Sequence, residues 1–205
     1  MPPSLSSMTT AIAPPSIDQC IVLPGRTWKQ FKLIQEGFEN SSGVKLFYFN
    51  GTIEILMPGR DHELFKSLIA LLLGIFFEEN GIEFEPTGSM TQEREGVASV
   101  QADESYCIGV SKPVPDLCVE VVFTSGGISK LQRYQTLEVP EVWFWEDGAF
   151  SLYRLRSDGY EPISRSEIPE LSRLDILLLS RCVLLGQTSR LQAMREFRQG
   201  VRAIA

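Results

Sequence analysis

The sequence is poor in soft metal ligands: of 205 residues, four are cysteine and one is histidine. Cys20, Cys107, Cys118 and Cys182 form no C-x-x-C pair, so a structural zinc site lacks both its ligands and their spacing. Long apolar runs are missing too. The longest, Leu68 to Phe77, is shorter than the ~20 residues a membrane-spanning helix needs and reads as a buried core helix. Nothing at the start resembles a secretory signal, because Met1 to Gln19 holds no Lys or Arg and is broken by Pro2, Pro3, Pro14 and Pro15. The cysteines are therefore expected as reduced thiols in a cytoplasmic protein. An excess of positive charge is also absent: 26 acids against 19 bases give a net charge of −7, which excludes a basic nucleic-acid coat. Any phosphate contact has to gather its positive groups locally.

What is present is ordinary for a folded domain, with 43% apolar and 22% charged residues. Residues 1–20, rich in Ser, Pro and Thr, read as a flexible leader, 21–186 as one domain, and 187–205 as a C-terminal helix. Thr27 stands where an N-cap would, ahead of Trp28, Phe31 and Ile34 at helical spacing. Val44 to Phe49 and Thr52 to Met57 flank Asn50-Gly51, the dipeptide that best supplies two positive φ angles to a tight hairpin. Asp61 is placed to cap a long helix in which Leu64, Leu68, Leu71 and Ile75 recur, ending at Asn80-Gly81. Further strands are expected in Ile82 to Glu85, in part of Val97 to Ile108, and in Val114 to Phe123, whose near-continuous apolar character suits a strand covered on both faces. Ser125-Gly126-Gly127 lacks the lysine of a phosphate loop and reads as a turn before a helix over 128–137. Trp143 and Trp145 then lie on a strand as core or interface aromatics, with base stacking as the alternative. Turns at Asp147-Gly148 and Asp158-Gly159 and two C-terminal helices complete a mixed α/β layer. Arg181, Arg190, Arg195, Arg198 and Arg202 face only Glu196 near the C-terminus, which describes either a solvated helix face or an edge that contacts phosphate or a partner.

A carboxylate on an apolar strand is costly to bury unless a cation or hydrogen-bond donors compensate it. Glu120, inside Leu117-Cys118-Val119-Glu120-Val121, is that outlier. It can pair with Lys130, Arg133 or a backbone cap, or it can hold a hard metal ion. Mg²⁺ accepts one or two carboxylates and keeps several waters, so Asp103 and Glu120 on adjacent strands would suffice. Asp116 shares the strand face with Glu120 but stands roughly 13 Å away at ~3.3 Å per residue, so the two cannot both ligate one ion; Asp116 either caps the strand entrance or replaces another ligand. His62, at a helix N-terminus, is a capping residue or, less simply, a base or ligand. Cys118 reads as core.

Asn50-Gly51 in a hairpin, Met57-Pro58 with His62 opening a long helix, Pro115-Asp116 through Glu120-Val121, Lys130 four residues before Tyr134, and Val139-Pro140-Glu141-Val142-Trp143 together resemble the Uma-type restriction-endonuclease family, over residues 27 to 180. The resemblance implies membership of the PD-(D/E)XK nuclease superfamily and a restriction-endonuclease-like α/β (α+β) fold, a central mixed β-sheet flanked by helices. It places Asp103 and Glu120 as acids of a Mg²⁺ or Mn²⁺ site, Lys130 as the superfamily lysine moved onto a helix, and Glu63 as an additional acid found in some members. This sequence departs from the pattern with Ala102 for the usual Pro, Val122 at the ordinary lysine position, and Gly126 where many relatives have Asp. The function implied is a metal-dependent endonuclease cleaving DNA, expected as a homodimer. The alternative is a catalytically silent nuclease-fold domain that binds nucleic acid or protein partners.

Overall fold

The computed structural model describes residues 17–39, 41–88, 90–123 and 127–204. The leader up to residue 16 and Ser125-Gly126 of the expected turn lie outside them. Two sheets carry the fold, where the sequence reading anticipated one. The first has the order β1-β3-β2-β6-β5 and is wholly antiparallel, built from Gln19–Leu23 (β1), Lys45–Phe49 (β2), Thr52–Met57 (β3), Thr91–Arg94 (β5) and Ala98–Gln101 (β6). The second is mixed, with the order β11-β10-β9-β8-β7-β4, from Phe84–Pro86 (β4), Glu104–Ile108 (β7), Leu117–Val122 (β8), Glu141–Glu146 (β9), Ala149–Arg156 (β10) and Gly159–Ile163 (β11). Its central pair, β8 and β9, is parallel and its other pairings are antiparallel. The stretch expected to give part of one strand crosses between the sheets: β6 ends at Gln101, β7 begins at Glu104, and Ala102-Asp103 form the joint.

The parallel pair needs a crossover, and α3 (Gly127–Thr136) supplies it, packing against β6, β9 and β11. Alternation along β8 sends Leu117, Val119 and Val121 to one face and Cys118, Glu120 and Val122 to the other. On the first face, α2 (Arg60–Asn80), α4 (Ile176–Gly186) and α5 (Arg190–Ile204) build the largest core with Trp143 and Trp145, so both tryptophans are core residues. On the second face, Cys118, Val122 and Phe144 meet Leu131 and Tyr134 of α3 and Phe47, Leu56, Ala98 and Val100 of the first sheet. The outer face of that sheet is covered by α1 (Trp28–Gly37), whose Phe31 packs with Leu46, Tyr48 and Ile53.

Local chemistry explains most element boundaries. Thr27 caps α1 reciprocally: Gln30 N–H donates to Thr27 Oγ1 at 3.2 Å, and Thr27 N–H to Gln30 Oε1 at 2.9 Å. Asn50 and Gly51 take φ of 43° and 81°, the two positive angles expected of the β2–β3 hairpin. Three expectations shift. The cap position of α2 is held by Gly59 with no side-chain bond, while Asp61 lies inside the first turn, where its charge favours the helix dipole. The buried arc of α2 is wide and leaves Leu71 exposed, running instead through Phe65, Ile69, Leu72 and Phe76. Order in the described residues reaches into the expected leader, since β1 starts at Gln19 and pairs with β3.

The C-terminal arginines are partly committed inside the molecule. Arg198 donates to Glu79 at 2.5 Å and Glu78 at 3.2 Å, and Arg202 to Glu79 at 2.6 Å, so α5 is tied to the end of α2.

Candidate active site

The inter-sheet joint and the strand β8 bring Asp103 and Glu120 into the space between the two sheets. Register explains why. Glu104 of β7 lies opposite Val119 of β8, so the residue before it meets the end of the strand where Glu120 stands. Asp103 Oδ2 accepts the Val121 N–H at 2.6 Å, which pins its carboxylate across β8. Both acids are deeply buried, at 1% and 2% exposure, and a buried carboxylate needs compensation on every oxygen.

That compensation comes from several elements. Asp103 Oδ1 receives Lys45 Nζ from β2 and faces His62 Nε2 at 2.7 Å from the first turn of α2. Lys45 is held in addition by the Ala102 carbonyl at 3.1 Å. The other ring nitrogen of His62, Nδ1, lies 2.9 Å from Asp18 Oδ2, and Asp18 Oδ1 accepts the Gly59 N–H at 2.7 Å. Glu120 Oε2 receives Lys130 Nζ at 3.0 Å and Oε1 receives the Tyr134 hydroxyl, both from α3 one helical turn apart. Phe47 forms an aromatic wall, with Lys130 Nζ 5.9 Å and the Arg133 guanidinium 5.6 Å from its ring centre. Arg133 itself pairs with Glu54 of β3 at 2.6 Å.

The electrostatics follow from those contacts. Burial disfavours the Asp103 anion, yet Lys45 and His62 beside it hold its carboxyl well below the usual range. Burial also opposes charge on His62 and Lys130, but the bonds and charges of Asp103 and Asp18 raise the first and those of Glu120 and Asp103 raise the second. Tyr134 and Cys118 are pushed up by burial and by the nearby Glu120, and stay protonated.

Of the residues singled out in the sequence, Asp103, Glu120 and Lys130 converge, and Glu120 does make the lysine pair that was the simpler expectation for it. Asp116 stands apart: its Oδ2 accepts the Ile108 N–H at 2.7 Å and Lys112 Nζ at 2.6 Å, at the entrance of β8. Glu63 also stands apart, with its exposed carboxylate on Lys66 at 3.0 Å. Three participants escaped the sequence reading. Lys45 shares the inward parity of Phe47 and Phe49 on β2, the one signal that pointed to it. Asp18 lay in the expected leader, and Tyr134 entered only as a motif letter. His62 goes beyond a helix cap, since it bridges two carboxylates from a buried position.

The donor set suits a hard divalent ion in type: two carboxylates, one from the inter-sheet joint and one from within β8, the number Mg²⁺ commonly takes. Among the described residues no cluster of three or more His, Cys, Asp or Glu side chains is arranged to hold a metal. Asp103 Oδ2 and both oxygens of Glu120 accept one bond each and retain a lone pair, whereas Asp103 Oδ1 is filled by Lys45 and His62.

Two sheets flanked by helices, one of them mixed, make this an α+β domain. Residues 28–188 match the model of the Uma2 family, described as "Putative restriction endonuclease", and the chain belongs to that family. The fold is accordingly restriction-endonuclease-like. No curated protein matches the sequence. No helix among the described residues is long and apolar enough to cross a membrane.

Proposed function

We propose that the chain is a cytoplasmic, divalent-metal-dependent endonuclease that hydrolyses DNA phosphodiester bonds, with Asp103 and Glu120 as the ligands of Mg²⁺ or Mn²⁺. The observation that supports this reading is the convergence of those two buried acids with Lys130 in the gap between the sheets. When bound, the ion offsets charge on the phosphate and acidifies water next to it. The chain supplies the rest. Val121 N–H and His62 fix the Asp103 carboxylate, and Tyr134 fixes that of Glu120, so neither must reorganise during the reaction. Lys130, the most exposed of the three central groups at 14% of its side chain, would orient water or steady the charge that develops on phosphate. The negative net charge is tolerable because substrate need touch only this site, where a bound ion would add positive charge locally.

Purified protein incubated with plasmid DNA and Mg²⁺ or Mn²⁺ should nick or linearise it, and both Glu120→Gln and Asp103→Asn should abolish this while remaining folded. Full activity in either variant would reject the assignment. Absence of cleavage in the wild type with any ion would favour the second reading, a silent nuclease-fold domain that binds nucleic acid or protein. One observation favours that rival: lysines, a histidine and a tyrosine already engage the acids. A homodimer accompanies the nuclease reading, and light scattering at the assay concentration tests it by giving twice the mass of one chain.

A further inference from the structure

Asp103 carries more positive company than one carboxylate needs. Lys45 and His62 both reach its Oδ1, while Oδ2 holds the Val121 N–H. Across the whole cluster, three buried acids, Asp18, Asp103 and Glu120, face Lys45, Lys130 and His62. Both nitrogens of His62 lie against carboxylate oxygens, which only accept, so the ring is satisfied only when both nitrogens carry protons. The cluster is thus near charge balance as it stands. A doubly charged ion entering a balanced, buried cluster is unfavourable unless positive charge withdraws.

The three cations differ in their freedom to withdraw. His62 is locked at both ends between Asp18 and Asp103. Lys130, parted from Glu120, would keep the Phe47 ring at 5.9 Å and the nearby charges of Asp103 and Glu54. Lys45, parted from Asp103, would keep the Ala102 carbonyl at 3.1 Å and has a flexible four-carbon stem. We propose that Lys45 is an internal cation that occupies the divalent-ion position on Asp103, and that ion binding is an exchange in which its ammonium falls back on the Ala102 carbonyl. This deepens the metal-dependent reading and rests on it.

Titration calorimetry of the full chain with Mn²⁺ tests the exchange. Lys45→Met should bind Mn²⁺ about tenfold or more tightly than the wild type, since the competing charge is gone. Its melting temperature should fall without ion and rise more on addition of Mn²⁺ than that of the wild type, an excess that a purely structural lysine would not produce. Lys45→Arg keeps the charge and should bind as the wild type does. Equal or weaker binding by Lys45→Met, beside a wild type that binds, would overturn the exchange and leave the ion site standing. No binding by either protein would overturn both. Should Lys45→Met fail to fold, Lys45→Gln takes its place. In parallel, the Lys45 Cε resonance of ¹³C-lysine-labelled wild type is followed as Mg²⁺ is added: a shift supports the exchange, and an unmoved resonance while Mg²⁺ binds overturns it.

Discussion

Glu120 and Glu141 lie on the two parallel strands at the centre of the mixed sheet, and both are buried, at 2% and 0% exposure. Their partners differ in kind. Glu141 accepts the Trp143 indole N–H at 2.7 Å and the Glu167 backbone N–H at 3.0 Å, with Arg154 at 3.6 Å. Those donors are fixed by the strand itself and by the segment before the short 3-10 turn Pro169–Leu171, so the carboxylate staples β9 to its neighbour. Glu120 is met by side chains alone, an ammonium and a phenol on α3. Burial of an acid is therefore no sign of a site by itself; what distinguishes Glu120 is that a lysine and a tyrosine of the crossover helix meet it, and that a second acid stands across the ladder from it.

The sharpest way to break this comparison is to neutralise each glutamate in turn. Glu120→Gln should lower metal-dependent DNA cleavage by about 10²-fold or more, the scale seen when a group that stabilises transition-state charge is removed. Glu141→Gln should leave cleavage unchanged. Parallel assays on one plasmid substrate decide it, and equal losses in both variants would erase the distinction. Glu120→Ala goes further: it leaves Lys130 and Tyr134 facing an empty pocket, and removing one partner of a buried pair costs about 3–5 kcal/mol in denaturant unfolding.

Next in size comes the stability of Glu141→Gln. An amide can still accept from the Trp143 indole, but its NH₂ is turned toward a donor, so one buried bond is lost at about 1–3 kcal/mol. A shift of the urea midpoint with unchanged slope measures this. A loss as large as that of Glu120→Ala would mean that the two acids are structural in the same sense.

A pH series separates two members of the buried cluster by sign. The raised His62 contributes stability that is complete below its ordinary 6.5 and is lost as pH rises through the higher folded value. Asp103, pulled below its ordinary 3.8, contributes above that value and loses its contribution only as pH falls toward the lower folded one. Thermal stability should thus decline as pH climbs above 6.5, and His62→Gln, which removes the chain's one histidine, should flatten that decline. An unchanged slope in the variant would remove His62 from the account.

Much of this contrast was legible before any coordinates, and the illegible part has one cause. The Asn50-Gly51 hairpin, the helix ending at Gly81, the apolar run of β8 and the anomaly of Glu120 are local patterns, and each reappears in the structure. Asp103 was reachable through its neighbours in the motif. The contacts that make a site of it join residues 41 to 58 positions apart, Lys45 and His62 to Asp103, and no periodicity reports such pairings. β1 gave no signal because an edge strand exposed on both faces has no alternation to read. The division into two sheets was hidden for a related reason: the chain changes sheet at Ala102-Asp103 within the short stretch Val97 to Ile108, with no Gly or Pro between its halves.

The smallest effect belongs to the C-terminal arginines, which extend the same contrast from the buried sheet to the surface. Sequence alone allowed them to be a phosphate-contacting edge. Arg198 and Arg202 instead meet Glu78 and Glu79 at the end of α2, an exposed network screened by solvent and salt. Arginines already engaged by acids contribute little to a polyanion's counterion release. Arg202→Ala should therefore leave both the retention of DNA and its dependence on salt unchanged, measured by fluorescence anisotropy with labelled duplex across a salt series. A shallower salt dependence in the variant would return this helix to the DNA-binding surface, and the gap between the sheets would then be only part of it.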